Sequence, residues 1–122
     1  MKIPKFEAQT EWNIPTEFPD LRKVDEIAID LETRDPDLIK KGSGSVIGNG
    51  EVIGVAVATK FYKGYFPIAH EGGGNMDKQK VLLWLKDVLA ANSTKIFHNA
   101  MYDVCWLRAM GLKINGDIVD TM

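Results

Sequence analysis

The stretch Ile-Ala-Ile-Asp-Leu-Glu, residues 27–32, decides how the rest of this chain is interpreted. Its apolar, partly β-branched first half predicts a buried strand. Side chains two apart on a strand point to the same face, so Asp30 and Glu32 would stand about 6 to 7 Å apart on one side. Neighbouring carboxylates repel each other, and in a partly dry site one of them would become neutral unless a cation held both ionised. The stretch therefore predicts a site for Mg²⁺ or Mn²⁺, which prefer oxygen ligands.

An Asp-x-Glu triplet is by itself a weak motif. Acidic residues make up 17 of the 122 positions, so such a pair arises readily by chance. The metal-binding interpretation therefore depends on further residues elsewhere in the chain.

The composition is that of an ordinary globular domain. The 122 residues predict one domain, with 45% hydrophobic and 26% charged residues. A net charge of −2 lacks the basic footprint of most nucleic-acid-binding domains. Cys105 is the single cysteine, so no intrachain disulfide can form. No apolar run approaches the roughly 18 residues of a membrane span. We therefore expect a reducing, cytoplasmic setting and no membrane partner.

The pattern of apolar residues predicts alternating strands and helices after an irregular arm at residues 1–24. Trp12, Ile14 and Phe18 are the expected anchors of the arm. The predicted strands are 27–32, 51–59, 64–69 and 95–97, and the predicted helices are 77–91 and 99–110. The second and third strands would form a hairpin, and the first helix a right-handed crossover. The glycine-rich segment 38–50 is predicted to be a flexible loop.

Polar residues follow the fourth strand in the segment His-Asn-Ala-Met-Tyr-Asp, residues 98–103. Asn99 suits the N-cap of the next helix, and Asp103 lies in or beside its first turn, where the helix dipole favours an anion. Ligands of open α/β sheets bind at the carboxyl ends of strands, so Asp103 could meet Asp30 and Glu32 there. His70, which closes the third strand, is interpreted as a structural hydrogen-bonding residue.

Four segments occur in a characteristic order: Ile-Asp-Leu-Glu-Thr (29–33), Tyr-Phe-Pro-Ile-Ala-His (65–70), His-Asn-Ala-Met-Tyr-Asp (98–103) and Asp-Thr-Met (120–122). Together they resemble the 3′-5′ proofreading exonuclease domain of family A DNA polymerases, the DNA polymerase I type. The glycine-rich insertion resembles the phage-like members. The resemblance covers about residues 25–122. It implies an α/β, ribonuclease H-like fold, with a mixed sheet of antiparallel hairpin strands and parallel strands and with flanking helices.

The resemblance also implies a reaction, which is two-metal hydrolysis of the last phosphodiester at a single-stranded 3′ end of DNA. The cofactors would be two Mg²⁺ or Mn²⁺ ions. The catalytic and metal-binding residues implied are Asp30, Glu32 and Asp103. The substrate-binding residues implied are Thr33, Asn99 and Tyr102. The implied partner is a polymerase domain of the full-length protein, in a bacterial or phage-infected cell.

The family's third motif, a Tyr followed four residues later by a metal-binding Asp, has no counterpart before Met122. Residues 25–122 would then be the first two-thirds of the domain, incomplete at the C-terminus. We expect such a fragment to be weak or inactive and, with part of its sheet or crossover helix uncovered, to self-associate. Two alternatives stay open: a ribonuclease D-like 3′-5′ exoribonuclease, and a non-catalytic module that binds nucleic acid or docks a polymerase.

Overall fold

A five-stranded mixed β-sheet forms the centre of the fold in this computed structural model, which describes residues 14–122. Its strands are β1 (Glu26–Arg34), β2 (Glu51–Ala58), β3 (Lys63–Pro67), β4 (Thr94–Phe97) and β5 (Ile118–Asp120). The helices of the same residues are α1 (Leu38–Lys41), α2 (Gly44–Ile47), α3 (Lys78–Ala90) and α4 (Ala100–Ala109). None of these helices has the length and apolar character needed to cross a membrane. The predicted strands and the two longer helices are confirmed to within a few residues at their ends.

The strands are arranged in the order β3-β2-β1-β4-β5. β2 runs antiparallel to both β1 and β3, whereas β4 is parallel to β1 and β5 is parallel to β4. Antiparallel hairpin strands and parallel strands therefore share one sheet, and α3 connects β3 to β4. This is the α/β, ribonuclease H-like arrangement that the resemblance implied.

One face of the sheet packs against an amphipathic helix. In β1 the alternate side chains of Ile27, Ile29 and Leu31 are 0%, 2% and 1% exposed, as the period of a strand requires. Residues of α3 at three- and four-residue spacing join the same buried cluster, namely Val81, Leu85, Val88 and Leu89. Asp77 begins this helix by accepting hydrogen bonds from two N–H groups of its first turn. The core therefore lies between β1 and α3 and leaves the polar side chains of β1 on the opposite face.

The segment before β1 contains neither helix nor strand in residues 14–25, in keeping with an irregular arm. Phe18 packs against Trp84 with 5.7 Å between ring centroids, and Trp84 Nε1 donates a 2.7 Å hydrogen bond to the carbonyl oxygen of Pro19. Ile14 is 61% exposed, so the prediction that it anchors the arm is wrong. Trp12 lies outside the described residues. The division between arm and domain at residue 24 stays a prediction.

The glycine-rich segment between β1 and β2 folds into two one-turn helices, so the prediction of a flexible loop is wrong. Both carboxylate oxygens of Asp35 accept hydrogen bonds from the N–H of Gly44, at 3.1 and 3.0 Å. Ser43 caps α2 by accepting a hydrogen bond from the N–H of Ser45, and Gly48 ends the helix in the left-handed conformation with φ 74°. Side chain to backbone contacts hold these turns, and such contacts leave no periodic apolar pattern in a sequence.

Candidate functional site

The carboxylates of Asp30 and Glu32 lie on the same side of β1, as the strand period predicted. Asp30 is 8% exposed and the Glu32 side chain 18% exposed, whereas Leu31 between them points into the core. The residues paired with them on β2 are Ala56 and Gly54. Because these two residues are so small, no bulky side chain of β2 stands directly beside the pair.

A tyrosine from β3 extends across β2 to Glu32 of β1. The hydroxyl of Tyr65 donates a 2.8 Å hydrogen bond to Glu32 Oε1. The same hydroxyl oxygen lies 2.5 Å from Nε2 of His70, and that nitrogen lies 3.9 Å from Glu32 Oε1. Glu32, Tyr65 and His70 therefore form one hydrogen-bonded cluster at the end of the hairpin, which we call the Glu32 cluster.

Gly54, in the strand between them, makes room for this contact. A Cβ atom at this position would lie 2.8 Å from Cε1 of Tyr65 and nearer still to the hydroxyl oxygen. A glycine inside a strand usually weakens it, and it often marks a place where another group approaches closely. Here that group is the Tyr65 side chain on its way to Glu32.

The Tyr65 hydroxyl keeps its proton. Burial, the hydrogen bond to Glu32 and the negative charges of Glu32 and Asp30 together raise the pKa of Tyr65 well above its ordinary value. Because its single hydrogen is donated to Glu32, the hydrogen between Tyr65 and His70 must come from Nε2 of His70. We therefore assign His70 a protonated Nε2, in a donor chain that runs from His70 through Tyr65 to Glu32.

The helix that carries the second group of predicted residues begins in an uncommon way. Asn99 stands at the N-cap with φ 72°, in the left-handed conformation that asparagine tolerates better than most residues, and its side chain makes no capping hydrogen bond. Instead, the carboxylate of Asp120 accepts hydrogen bonds from the N–H groups of Asn99 at 3.0 Å and of Ala100 at 3.1 Å. The prediction that Asn99 stands at the N-cap is thus confirmed, although the capping group is the Asp120 carboxylate, and its substrate-binding role stays a prediction.

Tyr102 connects the start of α4 to the end of β1. Its hydroxyl lies 2.9 Å from Oγ1 of Thr33 and donates a 2.8 Å hydrogen bond to Oδ2 of Asp35. Since the tyrosine has one hydrogen to give, the Thr33 hydroxyl is the donor to Tyr102. Burial is the main cause of a raised pKa for Tyr102. Two predicted substrate-binding residues, Thr33 and Tyr102, are therefore in contact although 69 positions separate them.

Asp103 follows Tyr102 in the first turn of α4 and is completely buried. In residues 14–122, no three or more His, Cys, Asp and Glu side chains are grouped so that they could hold a metal ion without further ligands, and the grouping of Asp103 with Asp30 and Glu32 stays a prediction. Mg²⁺ sites of phosphoryl-transfer enzymes commonly use one or two carboxylates together with water and phosphate oxygens. Asp30 and Glu32 fit that set of donors, and metal binding by Asp103 stays a prediction.

Reasoning from the sequence missed three residues of this site, namely Tyr65, Gly54 and Asp35. Gly54 gave a usable signal, because a glycine within the β-branched run 51–59 predicts close approach by another group. Asp35 lies in a turn-rich connection, where an aspartate is ordinary. Its contact with Tyr102 depends on the packing of α4 and could not have been read from the pattern.

Comparison with known proteins gives partial matches. No protein-family model matches the chain. A DNA-directed DNA polymerase of Pseudomonas phage M6 is 34% identical in a region that covers 85% of this chain and 16% of the polymerase. The chain therefore spans about a sixth of the length of that relative.

Solved structures with partial similarity include three of Brucella melitensis NrnC. The structure of NrnC with bound Mg²⁺ has a TM-score of 0.46 and 24% identity, and the match covers 80% of this chain and 41% of that chain. A second NrnC structure has a TM-score of 0.44 and 22% identity, with coverage of 74% and 37%. NrnC bound to pGG has a TM-score of 0.43 and 22% identity, with coverage of 78% and 40%.

Proposed function

We propose that this chain is a metal-dependent 3′-5′ exonuclease domain of a DNA polymerase of the family A type. Residues 25–122 belong to the catalytic domain, and residues 1–24 form an arm that precedes it. The substrate is the single-stranded 3′ end of DNA, from which terminal nucleotides are removed during proofreading.

The observation that carries the proposal is a set of hydrogen bonds that connects all four segments of the resemblance. Tyr65 of the second segment binds Glu32 of the first. Tyr102 of the third segment is within hydrogen-bond distance of Thr33 of the first, and Asp120 of the fourth binds the start of the third. Segments far apart in the sequence therefore meet around the end of β1, beside a pair of carboxylates.

The similarity to the phage DNA polymerase supports DNA as the substrate and a polymerase domain as the partner. The phage protein is named a DNA-directed DNA polymerase, and its matched region covers most of this chain. This favours DNA over RNA as the substrate, a polymerase domain as the partner, and a bacterial or phage-infected cell as the setting.

Asp30, Glu32 and Asp103 would have different roles in metal binding. Bound divalent ions, two in the complete site, would lower the pKa of the attacking water and stabilise the leaving oxygen. Asp30 would bind both ions, and Glu32 would bind one and orient the attacking water. Asp103 would serve the second ion, directly or through water.

The remaining residues would hold the end of the strand. Asn99 and Tyr102 would contact the terminal nucleotides, and Thr33 would approach the 3′ hydroxyl. The contacts of the Tyr102 hydroxyl with Thr33 and Asp35 restrict the orientation of its ring. Stacking on an aromatic ring tolerates every base, which suits an enzyme that must remove whichever nucleotide ends the strand.

The proposal is tested by incubating the purified 122-residue chain, in molar excess, with 5′-labelled single-stranded DNA and Mg²⁺ or Mn²⁺. We expect slow, stepwise shortening from the 3′ end that stops when the metal is chelated. Asp30→Asn should abolish it, because the carboxylate that would bind both ions is lost. Asp87→Asn, on the exposed face of α3, is the matched control and should leave the rate unchanged.

A calorimetric titration with Mn²⁺ separates an enzyme from a non-catalytic module. The proposed site should bind Mn²⁺ in the wild-type chain and lose that binding in Asp30→Asn. Equal Mn²⁺ binding by both chains, or strand shortening that persists in Asp30→Asn, would contradict the proposal. Faster shortening of an RNA strand of the same sequence would favour the ribonuclease D-like alternative.

A further inference from the structure

The Glu32 cluster has a geometry suited to controlling the direction of one carboxylate. We propose that Tyr65, backed by His70, is a positioning residue that holds the Glu32 carboxylate in the orientation in which it binds the metal ion. The inference rests on the proposed function, because that function gives Glu32 its metal-binding role. Tyr65 and His70 act through Glu32 and touch neither the metal nor the DNA.

Glu32 is a side chain that needs such a contact. A glutamate has three rotatable bonds, and the Asp30 carboxylate on the same side of β1 repels it. A lysine or arginine could fix Glu32 only by neutralising it, and the positive charge would then compete with a metal ion. Tyr65 supplies a hydrogen-bond donor without a charge, so Glu32 keeps the full negative charge that attracts a cation.

The donors of the Glu32 cluster are themselves held firmly. Tyr65 is only 6% exposed, and its ring crosses β2 at the one position without a side chain, Gly54. The backbone of His70 is fixed at both polar atoms by Asn75, whose Oδ1 accepts from the His70 N–H at 2.8 Å and whose Nδ2 donates to the His70 carbonyl oxygen at 2.9 Å. His70 then contacts the Tyr65 hydroxyl oxygen through Nε2 at 2.5 Å, which restricts where that hydroxyl can lie.

The main test removes the hydroxyl and keeps the ring, in the variant Tyr65→Phe. Loss of a group that orients a metal ligand typically lowers metal affinity or activity by about 10- to 100-fold, and we expect a decrease of that size in Mn²⁺ affinity by calorimetry. The rate of strand shortening at saturating DNA should fall in parallel, while the DNA concentration that gives half the maximal rate stays the same. Tyr62→Phe is the control, since it removes a hydroxyl at the turn end of the same hairpin.

A second variant, Gly54→Ala, breaks the same contact from the other side. Its methyl group would displace the Tyr65 ring from Glu32, so Mn²⁺ affinity should fall although no ligand is altered. Tyr65→Phe and Gly54→Ala both remove the same hydrogen bond between Tyr65 and Glu32. The double variant should therefore lose little more Mn²⁺ affinity than the stronger of the two single variants. Thermal unfolding of each variant shows which of them remain folded at the assay temperature.

A readout without metal makes this inference independent of the nuclease assay. The carboxyl carbon-13 chemical shift of Glu32 should change in Tyr65→Phe and stay constant in Tyr62→Phe. An unchanged shift, or unchanged Mn²⁺ affinity in folded Tyr65→Phe, overturns the positioning role while leaving the proposed function intact. A wild-type chain that shows no Asp30-dependent Mn²⁺ binding overturns the proposed function and, with it, this inference.

Discussion

At the scale of single residues, Lys95 has the least ordinary environment in the described chain. It is fully buried, although lysine is among the residues least often found inside proteins. Its ammonium group donates hydrogen bonds to the carbonyl oxygens of Ala91, Ser93 (2.9 Å) and Asn115 (2.7 Å). These carbonyls belong to the end of α3, the loop before β4 and the segment before β5. One side chain therefore joins three connections of the fold.

Lys95→Met should destabilise the folded protein. The substitution keeps the length of the side chain but removes the donor that these three carbonyls share, and we expect the free energy of unfolding to fall by about 1 to 3 kcal/mol. Urea denaturation followed by circular dichroism measures this difference. Lys86→Met, on the exposed face of α3, should change stability by less than about 0.5 kcal/mol. Equal effects of the two substitutions would show that the buried ammonium group is dispensable.

The alternation of side chains along a strand predicts which face of the sheet a residue occupies, and that part of each residue's environment could be predicted from the sequence. Alternation correctly placed Asp30 and Glu32 on one side of β1. It also implies that Lys95 faces the same side as buried Phe97, yet a lysine in a short strand is normally expected at the surface. The contact of Tyr65 with Glu32 could not be predicted, because it depends on the register of two strand pairs.

At the scale of secondary-structure elements, the start of α4 depends on β5. The helix has no capping side chain of its own, and the Asp120 carboxylate at the end of β5 satisfies its first N–H groups. Hydrogen bonds from the backbone N–H groups of Met122, Ala100 and Asn99 lower the pKa of Asp120. The ionised carboxylate thus holds in place the helix that carries Tyr102 and Asp103.

Asp120→Asn should lower the melting temperature at neutral pH, because an amide is a weaker acceptor at the positive end of the helix dipole. The pKa of Asp120 lies below its ordinary value of 3.8 in the folded state, so its stabilising contribution is complete above that value. The contribution is lost as the pH falls through the lower folded-state pKa. Melting temperatures measured from neutral to strongly acidic pH should therefore converge for the two proteins at the acidic end.

Asp117→Asn is the control for this experiment, since Asp117 is an exposed aspartate three positions before Asp120. It should have the same melting temperature as the wild type across the pH range. A difference between wild type and Asp120→Asn that stays constant down to strongly acidic pH would show that the ionised carboxylate is not the source of the stability.

At the scale of the whole molecule, the two edges of the sheet differ. β3 is buried along most of its length, whereas every residue of β5 is exposed. Ile118 and Val119 of β5 are 42% and 43% exposed. An exposed apolar strand at a sheet edge offers unpaired backbone groups to another chain. β5 is therefore the surface through which self-association, expected from the sequence, would occur.

The chain should self-associate as its concentration rises, and Val119→Lys should reduce this association. A charged residue on an edge strand opposes pairing with a second chain. Light scattering across a range of protein concentrations measures the change. Val46→Lys, at a 76% exposed position in α2, is the control and should not reduce association. A wild-type chain that stays monomeric at high concentration would contradict the prediction.

The architecture as a whole could be predicted further than the site. Long periodic segments predicted β1, β2, α3 and α4, and the resemblance to an exonuclease family implied the fold class. The one-turn helices α1 and α2 are too short to carry a period. The grouping of Asp103 with Asp30 and Glu32 stays a prediction, and the complete burial of Asp103 could not be predicted, since a position in the first turn of a helix does not determine how deeply its side chain is enclosed.

The missing side chain of Gly54, whose place the Tyr65 ring occupies, couples the evolution of the two positions. A mutation at codon 54 that adds even one carbon would displace the Tyr65 ring from Glu32 unless residue 65 has already become smaller, and a smaller residue 65 would no longer reach Glu32. A substitution at either position alone would therefore remove the hydrogen bond between Tyr65 and Glu32. In descendants of this gene, glycine and tyrosine at these places should be inherited as a pair or replaced as one.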